Sequence, residues 1–269
     1  MVRKWWRVTL NLHEEEERES VLAWFADKNP QGFWEKEGGT LIVYLPEPLL
    51  DLPPSLVGEW SQEEEWEENW VRRCQKNFPV VKISQRVSVR PPWRKPTGTE
   101  VEVVIYPALA FGTGDHPTTR GCLWFIEKYL AAGMDFLDVG AGSGILSILA
   151  VRLGAKKVVA LDIDSLAMEE IKRNLRLNAV PLHRVERIEG DLSELGERKF
   201  DLIAVNVGLG FQLESLPRLR EILQDRGYLV LSGFEASNCF LLEDKARSLG
   251  FYFWDKREEQ DWMTVVFRR

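Results

Sequence analysis

Residues 138–147, Asp-Val-Gly-Ala-Gly-Ser-Gly-Ile-Leu-Ser, limit the folds open to this chain more than any other stretch. Met134 to Val139 reads as a short apolar strand, and Ile145 to Leu153 as a helix with its apolar positions at helical spacing. Between them stand Gly140, Gly142 and Gly144. A glycine-rich passage from strand to helix lets a ligand approach the backbone closely and aims amide groups at it. The next strand, Val158 to Asp162, ends in an acid 22 residues beyond Gly140. That is about where a carboxylate reaches the hydroxyls of a bound ribose in a doubly wound sheet.

Two classes of ligand fit such a turn. The dinucleotide fingerprint places its third glycine after an x-x pair, where this chain has Ile145. Gly-x-Gly-x-Gly behind an aspartate is instead the pattern of S-adenosylmethionine-dependent methyltransferases, whose cofactor carries a compact zwitterionic tail and no pyrophosphate. From Met134 onward strands alternate with helices. The strands are read at 134–139, 157–162, 185–189, 200–206, 227–233, 251–256 and 262–268, the helices near 144–153, 165–178, 212–224 and 236–249. This alternation predicts an α/β domain with a doubly wound, mostly parallel seven-stranded sheet covered on both faces. The last two strands follow each other without a helix, so the final one is expected to run antiparallel.

The front of the chain reads differently. Residues 4–12 alternate as a strand, and Val21 to Ala26 reads as an amphipathic helix behind an acidic run. Residues 32–37 and 40–45 flank Gly38-Gly39 as a hairpin. This small α+β module is assigned to residues 1–58. Ser61-Gln-Glu-Glu64 has the form of a capping box and predicts a linker helix to about Asn77, within a connecting segment 59–79. The larger domain is then 80–269, with two or three strands over 80–106.

Composition narrows the class. No run of 18 apolar residues exists, which excludes a helical membrane span, and Met1 to Trp6 carries no signal-type apolar region. Cys74, Cys122 and Cys239 form no C-x-x-C pair, and the three histidines do not cluster with them. Free thiols in a cytoplasmic protein without zinc are expected. The net charge is −7, and residues 1–60 hold eleven acids against six bases. Such a surface disfavours broad contact with nucleic acid and suits a basic protein partner.

The segment Pro107-Ala-Leu-Ala-Phe-Gly-Thr-Gly-Asp-His-Pro-Thr-Thr119 carries glycines, threonines and a histidine without periodicity, just before a helix read at 120–132. It reads as a loop folding over the ligand, or as a connector with Thr118 as helix cap. Together with Trp66-Glu-Glu-Asn-Trp70, Phe78, Asp138 to Ser147, Leu161-Asp-Ile-Asp164 and Leu231-Ser-Gly233, it resembles the PrmA family, methyltransferases of ribosomal protein L11. The likeness is good over residues 60–269 and one of layout over 1–58, where the family carries a small ferredoxin-like substrate-recognition domain.

The resemblance implies S-adenosylmethionine as cofactor, with contacts at Thr119, Gly140, Asp162 and Asn206. It puts Phe111, Gly112 and Thr113 on the closing loop. Asp138 suits the methionine amine at its strand end, and Gly142 shares the turn. Asp191 borders the adenine. Asn206 doubles as the catalytic residue, because a strand-end amide can accept a hydrogen bond from an incoming amine. His116 is the histidine nearest these residues and is read as structuring the loop rather than as a base. The implied substrate is an amine, lysine or N-terminal, of a large-subunit ribosomal protein, and the enzyme is expected to be monomeric. Where the family has Asn-Ile-Leu, this chain has Asn206-Val-Gly-Leu-Gly-Phe211, and Phe234-Glu235 replaces Ile-Leu after Ser-Gly. Both changes concern the acceptor, so a small metabolite or RNA stands as the alternative substrate, and a nucleotide-binding module without catalysis as a third reading.

Overall fold

A computed structural model describes residues 4–12, 21, 24, 25, 28, 32–36, 39–52, 60–66, 78–106 and 114–269. The chain divides into two compact units, residues 1–78 and 79–269.

In the first unit, strands β1 (Lys4–Asn11), β2 (Gly32–Lys36), β3 (Thr40–Leu45) and β4 (Trp60–Trp66) form one antiparallel sheet in the order β2-β3-β1-β4. Val8, Leu10, Leu41, Val43 and Leu45 of the sheet pack with Val21 and Phe25. The helix expected from Ser61 is corrected here: Trp60–Trp66 is a strand, and residues 67–77 lie outside those described. Its acids are fixed by partners on β1, with Lys4 paired to Glu64 and Arg7 to Glu63. Gln62 donates to the Leu49 carbonyl at 2.8 Å and accepts from the Leu49 amide at 2.9 Å. Non-local pairing thus overrides a local helix-start signal.

The second unit begins with a small sheet, β5 (Val81–Lys82), β6 (Val87–Arg90) and β7 (Val101–Val104), in that order. The large sheet contains β8 (Asp135–Val139), β9 (Lys157–Asp162), β10 (Glu186–Glu189), β11 (Phe200–Asn206), β12 (Leu223–Glu235), β13 (Tyr252–Glu259) and β14 (Trp262–Arg268). Its order is β10-β9-β8-β11-β12-β14-β13, parallel except for β14, which runs antiparallel to both neighbours. The doubly wound α/β fold read from the alternation is the observed one. The helices are α1 (Pro117–Tyr129), α2 (Ile145–Arg152), α3 (Ser165–Leu177), α4 (Leu209–Ile222) and α5 (Cys239–Ser248).

Strand parity assigns the two cores. Phe136, Val158, Ala160, Leu202 and Ala204 join apolar residues of α1, α2 and α3 on one face. Leu137, Val139, Val159, Leu161, Ile203 and Val205 join those of α4 and α5 on the other. Both faces are covered, so the central strands β8, β9 and β11 are largely apolar on both sides, while the edge strands β10 and β13 carry charges. Helix α1 crosses β14 so closely that a Cβ on Gly121 would lie 2.1 Å from Thr264 Oγ1. That hydroxyl is already engaged with Ser232 Oγ at 2.8 Å. Gly121→Ala is therefore expected to lower unfolding stability by about 1–3 kcal/mol, the usual range for overpacking. An unchanged denaturant midpoint would contradict this packing.

Candidate active site

The strand order reverses between β8 and β11, so the loops leaving their carboxyl ends diverge and open a crevice. A cleft of about 520 Å³ occupies it, lined among others by Gly140, Asp162, Asp191, Asn206, Phe211 and Trp262. That volume falls in the ordinary range for small-molecule sites.

The turn after β8 is built from backbone. Gly140 and Ala141 both donate their amides to the Leu161 carbonyl, at 2.8 and 3.1 Å, and Gly144 donates to Ala141 at 2.8 Å. The Gly142 amide donates to Asp162 Oδ2 at 2.8 Å. Those four amides are spent inside the fold, which corrects the expectation that the turn aims them at a ligand. A pyrophosphate would find no such row of donors among these four amides. Gly144 opens α2 with a φ of 76°. A Cβ there would also come within 3.0 Å of Ile171 on α3.

Asp162 stands at the end of β9 and lines the cleft. Besides the Gly142 amide it holds the Asp164 amide, on Oδ1 at 3.0 Å. Asp191, at the corresponding end of the neighbouring strand, also lines the cleft. It accepts from the Ser193 hydroxyl and amide, which hold its carboxyl below the usual carboxylate range. Asn206 closes β11, and Nδ2 donates to Thr119 Oγ1 at 3.4 Å, while its buried Oδ1 has no hydrogen-bond partner among the described residues. Thr119 is fully buried behind Asn206 and does not line the cleft.

Asp138 lies elsewhere than its strand-end position implied. It shares the parity of Phe136 and turns toward α2, 1% exposed, where the Ser147 amide and hydroxyl donate to Oδ2 at 3.0 and 2.7 Å. Asp138 therefore braces the first turn of α2 from behind. Burial pushes its carboxyl up to about 7 against the two bonds from Ser147, and the charge on Asp162 adds to the rise. An acid whose folded pKa exceeds its unfolded value stabilises the fold while protonated. That contribution is complete below about 3.8 and is lost as pH rises through about 7. Asp138→Asn keeps an acceptor for Ser147 and removes the titration. Wild-type unfolding stability should fall between about pH 4 and 7 and level off above, by at most about 1.4 kcal/mol per pH unit, while the variant stays flatter. Parallel pH curves would exclude this assignment.

His116, not Thr118, caps α1: its Nδ1 accepts from the Thr118 amide at 3.3 Å and lies 2.7 Å from the Thr118 hydroxyl. Burial lowers its pKa. The ring meets Trp262 edge-on with centroids 4.7 Å apart, and both rings line the cleft. Phe111, Gly112 and Thr113 lie outside the described residues. Trp262 escaped the sequence reading, whereas Phe211 closes the stretch read there as facing the acceptor. Trp262 was within reach, because an antiparallel last strand must begin at the edge where the parallel strands end. Gly233, with a φ of 99°, also lines the cleft, and a Cβ on it would come within 2.5 Å of the Val207 carbonyl oxygen. Val207, and with it the backbone beside Asn206, is thereby held in a slot only glycine leaves open.

Residues 4–269 match the family model described as ribosomal protein L11 methyltransferase (PrmA). A ribosomal protein L11 methyltransferase of Clostridium perfringens is 32% identical over 244 residues, covering 88% of this chain and 77% of that protein. One from Dictyoglomus turgidum is 36% identical over 217 residues, 78% and 71% of the two chains. The crystal structure of ribosomal protein L11 methylase from Lactobacillus delbrueckii subsp. bulgaricus is similar at a TM-score of 0.66 with 29% identity, covering 71% of this chain and 98% of that one. The match spans both units, the glycine turn and the strand-end residues of the cleft alike. The chain belongs to the PrmA family of ribosomal protein L11 methyltransferases.

Proposed function

We propose that this chain is an S-adenosylmethionine-dependent N-methyltransferase acting on lysine or N-terminal amines of a large-subunit ribosomal protein. The observation that carries the reading is the buried Oδ1 of Asn206, without a partner among the described residues, at a cleft that Asp162 also lines. An orphaned acceptor costs free energy unless a ligand satisfies it, and an amine N–H would do so. The residues present fit the donor: Asp162 is available to ribose hydroxyls, and the glycine turn offers close approach without a phosphate-binding row. When bound, S-adenosylmethionine supplies a methyl group already activated on a sulfonium.

The chain's own residues then have a limited task. Asn206 accepts one N–H and so points the amine lone pair, a positioning effect on the scale of several kcal/mol when geometry is near-attack. The acceptor must be neutral. An α-amine with a pKa near 8 reaches that state readily, whereas a lysine near 10.4 costs about 4–5 kcal/mol at pH 7. Desolvation in the cleft lowers that cost, so no strong base is required. His116 acts as the helix cap. Thr119 orients the Asn206 amide, and Asp138 stiffens the turn. Recognition of the substrate falls to the acidic front unit. That assignment, first drawn at residues 1–58, extends through β4, because β4 completes the sheet with β1.

The test is transfer of label from methyl-labelled S-adenosylmethionine to purified large-subunit ribosomal proteins. Label on one ribosomal protein supports the reading. Label only on RNA or a small metabolite overturns it.

A further inference from the structure

Helix α3 and its C-cap carry two buried asparagines one turn apart that the reaction does not use, Asn174 (0% exposed) and Asn178 (2% exposed). Each spends its amide on backbone. Asn178 pairs with the edge of β7, accepting from the Val104 amide at 2.8 Å and donating to the Val104 carbonyl at 2.6 Å. It also donates to the Asn174 carbonyl at 2.7 Å. Asn174 differs, because its two ends serve different segments. Oδ1 accepts from the Tyr106 amide at 3.0 Å, and Nδ2 donates to the Ser143 carbonyl at 2.8 Å. Ser143 belongs to the glycine turn, and Tyr106 directly precedes residues 107–119 in the chain. The same face of α3 presents Ile171 to Gly144, where a Cβ would meet its side chain at 3.0 Å. Arg173 covers the Tyr106 ring at 3.4 Å.

We propose that Asn174 is a positioning residue for the donor site: one buried amide locks the glycine turn and the backbone at Tyr106 into a single register. Nothing else among the described residues bonds to the Ser143 carbonyl and the Tyr106 amide at once. The Gly140, Ala141, Gly142 and Gly144 amides tie the turn to β9 and to itself, and the Asn174 bond to the Ser143 carbonyl is its tie to α3. The inference rests on the reading of the cleft as an S-adenosylmethionine site.

The decisive comparison is Asn174→Asp against Asn178→Asp, each measured by calorimetry with S-adenosylhomocysteine at pH 8 and by thermal unfolding. Both variants keep the acceptor and turn a donated bond into a repulsion between oxygens, so both should lower Tm. Only Asn174→Asp should weaken binding, by about tenfold or more, the equivalent of about 1.4 kcal/mol. Asn178→Asp should stay within about twofold. Hydrogen exchange at the Tyr106 amide gives a readout without ligand: protected in Asn174→Asp and faster by about tenfold or more in Asn174→Ala. Asn174→Ala, which adds no repulsion, also carries the binding test should the aspartate variant fail to fold. Equal binding losses at the two positions, or none at Asn174, would overturn the proposal while wild-type binding leaves the donor reading standing. A wild-type protein indifferent to the ligand would remove both.

Discussion

Asn206→Leu is expected to cut methyl transfer by at least about 100-fold while weakening S-adenosylhomocysteine binding far less. Leucine nearly matches asparagine in shape, so the fold should tolerate it, but it offers no acceptor where Oδ1 now stands buried and unpaired. An amine arriving at that wall would no longer have its lone pair aimed, and a displacement of about 1 Å is enough for a loss of that size. Asn206→Asp makes a sharper test. It restores an acceptor but as a carboxylate, which favours the protonated amine. Its rate should be low at pH 7 and rise with pH more steeply than the wild type. Thr119→Val, which removes the hydroxyl holding Nδ2 at 3.4 Å, should cost about tenfold by freeing the amide to rotate. Single-turnover rates with saturating donor separate these effects from binding. An Asn206→Leu enzyme with near-normal turnover would end the assignment.

The parts of this site that could be read in the chain are those whose chemistry is local. The glycine spacing, the acid 22 residues downstream and the alternation of strands and helices are short-range patterns, and the sheet order follows from them with few alternatives. Asp138 shows the limit. Its place at a strand end suggested a ligand contact, yet strand parity turns it to the α2 side, and parity could have been counted from Phe136 and Val139. Ser61-Gln-Glu-Glu64 failed for another reason. Its capping-box form is a local preference, while its pairing with Arg7 and Lys4 is decided more than fifty residues away. Asn174 left no signal at all, because a buried amide on a helix is recognised only by the backbone groups it meets. His116 was read as structuring its loop, and its ring caps α1. The substitutions at Val207 to Phe211 marked the acceptor side. Phe211 does line the cleft, 38% exposed, and so offers an apolar surface to whatever enters.

Asp162→Ala should raise the Kd for S-adenosylhomocysteine by about 100-fold or more, equivalent to about 2.7 kcal/mol. Two contributions add. A carboxylate at the end of β9 offers charge-assisted bonds to ribose hydroxyls, each on the order of 1.5–3 kcal/mol. The same carboxylate holds the Gly142 amide at 2.8 Å and the Asp164 amide at 3.0 Å, so removing it also loosens the turn. Asparagine is no conservative replacement here. Its two ends are unlike, and whichever way the amide is set, one NH₂ must face a backbone N–H now bound to oxygen. Asp162→Asn should therefore bind nearly as poorly as the alanine variant. Asp191→Ala serves as the neighbouring control, since among the described residues its carboxylate is engaged only with Ser193, and its loss should stay below about tenfold. Calorimetry on the three variants ranks the strand ends directly. If Asp162→Ala binds within a few-fold of wild type, the ligand lies elsewhere, and the assignment of both Asp162 and the glycine turn falls with it.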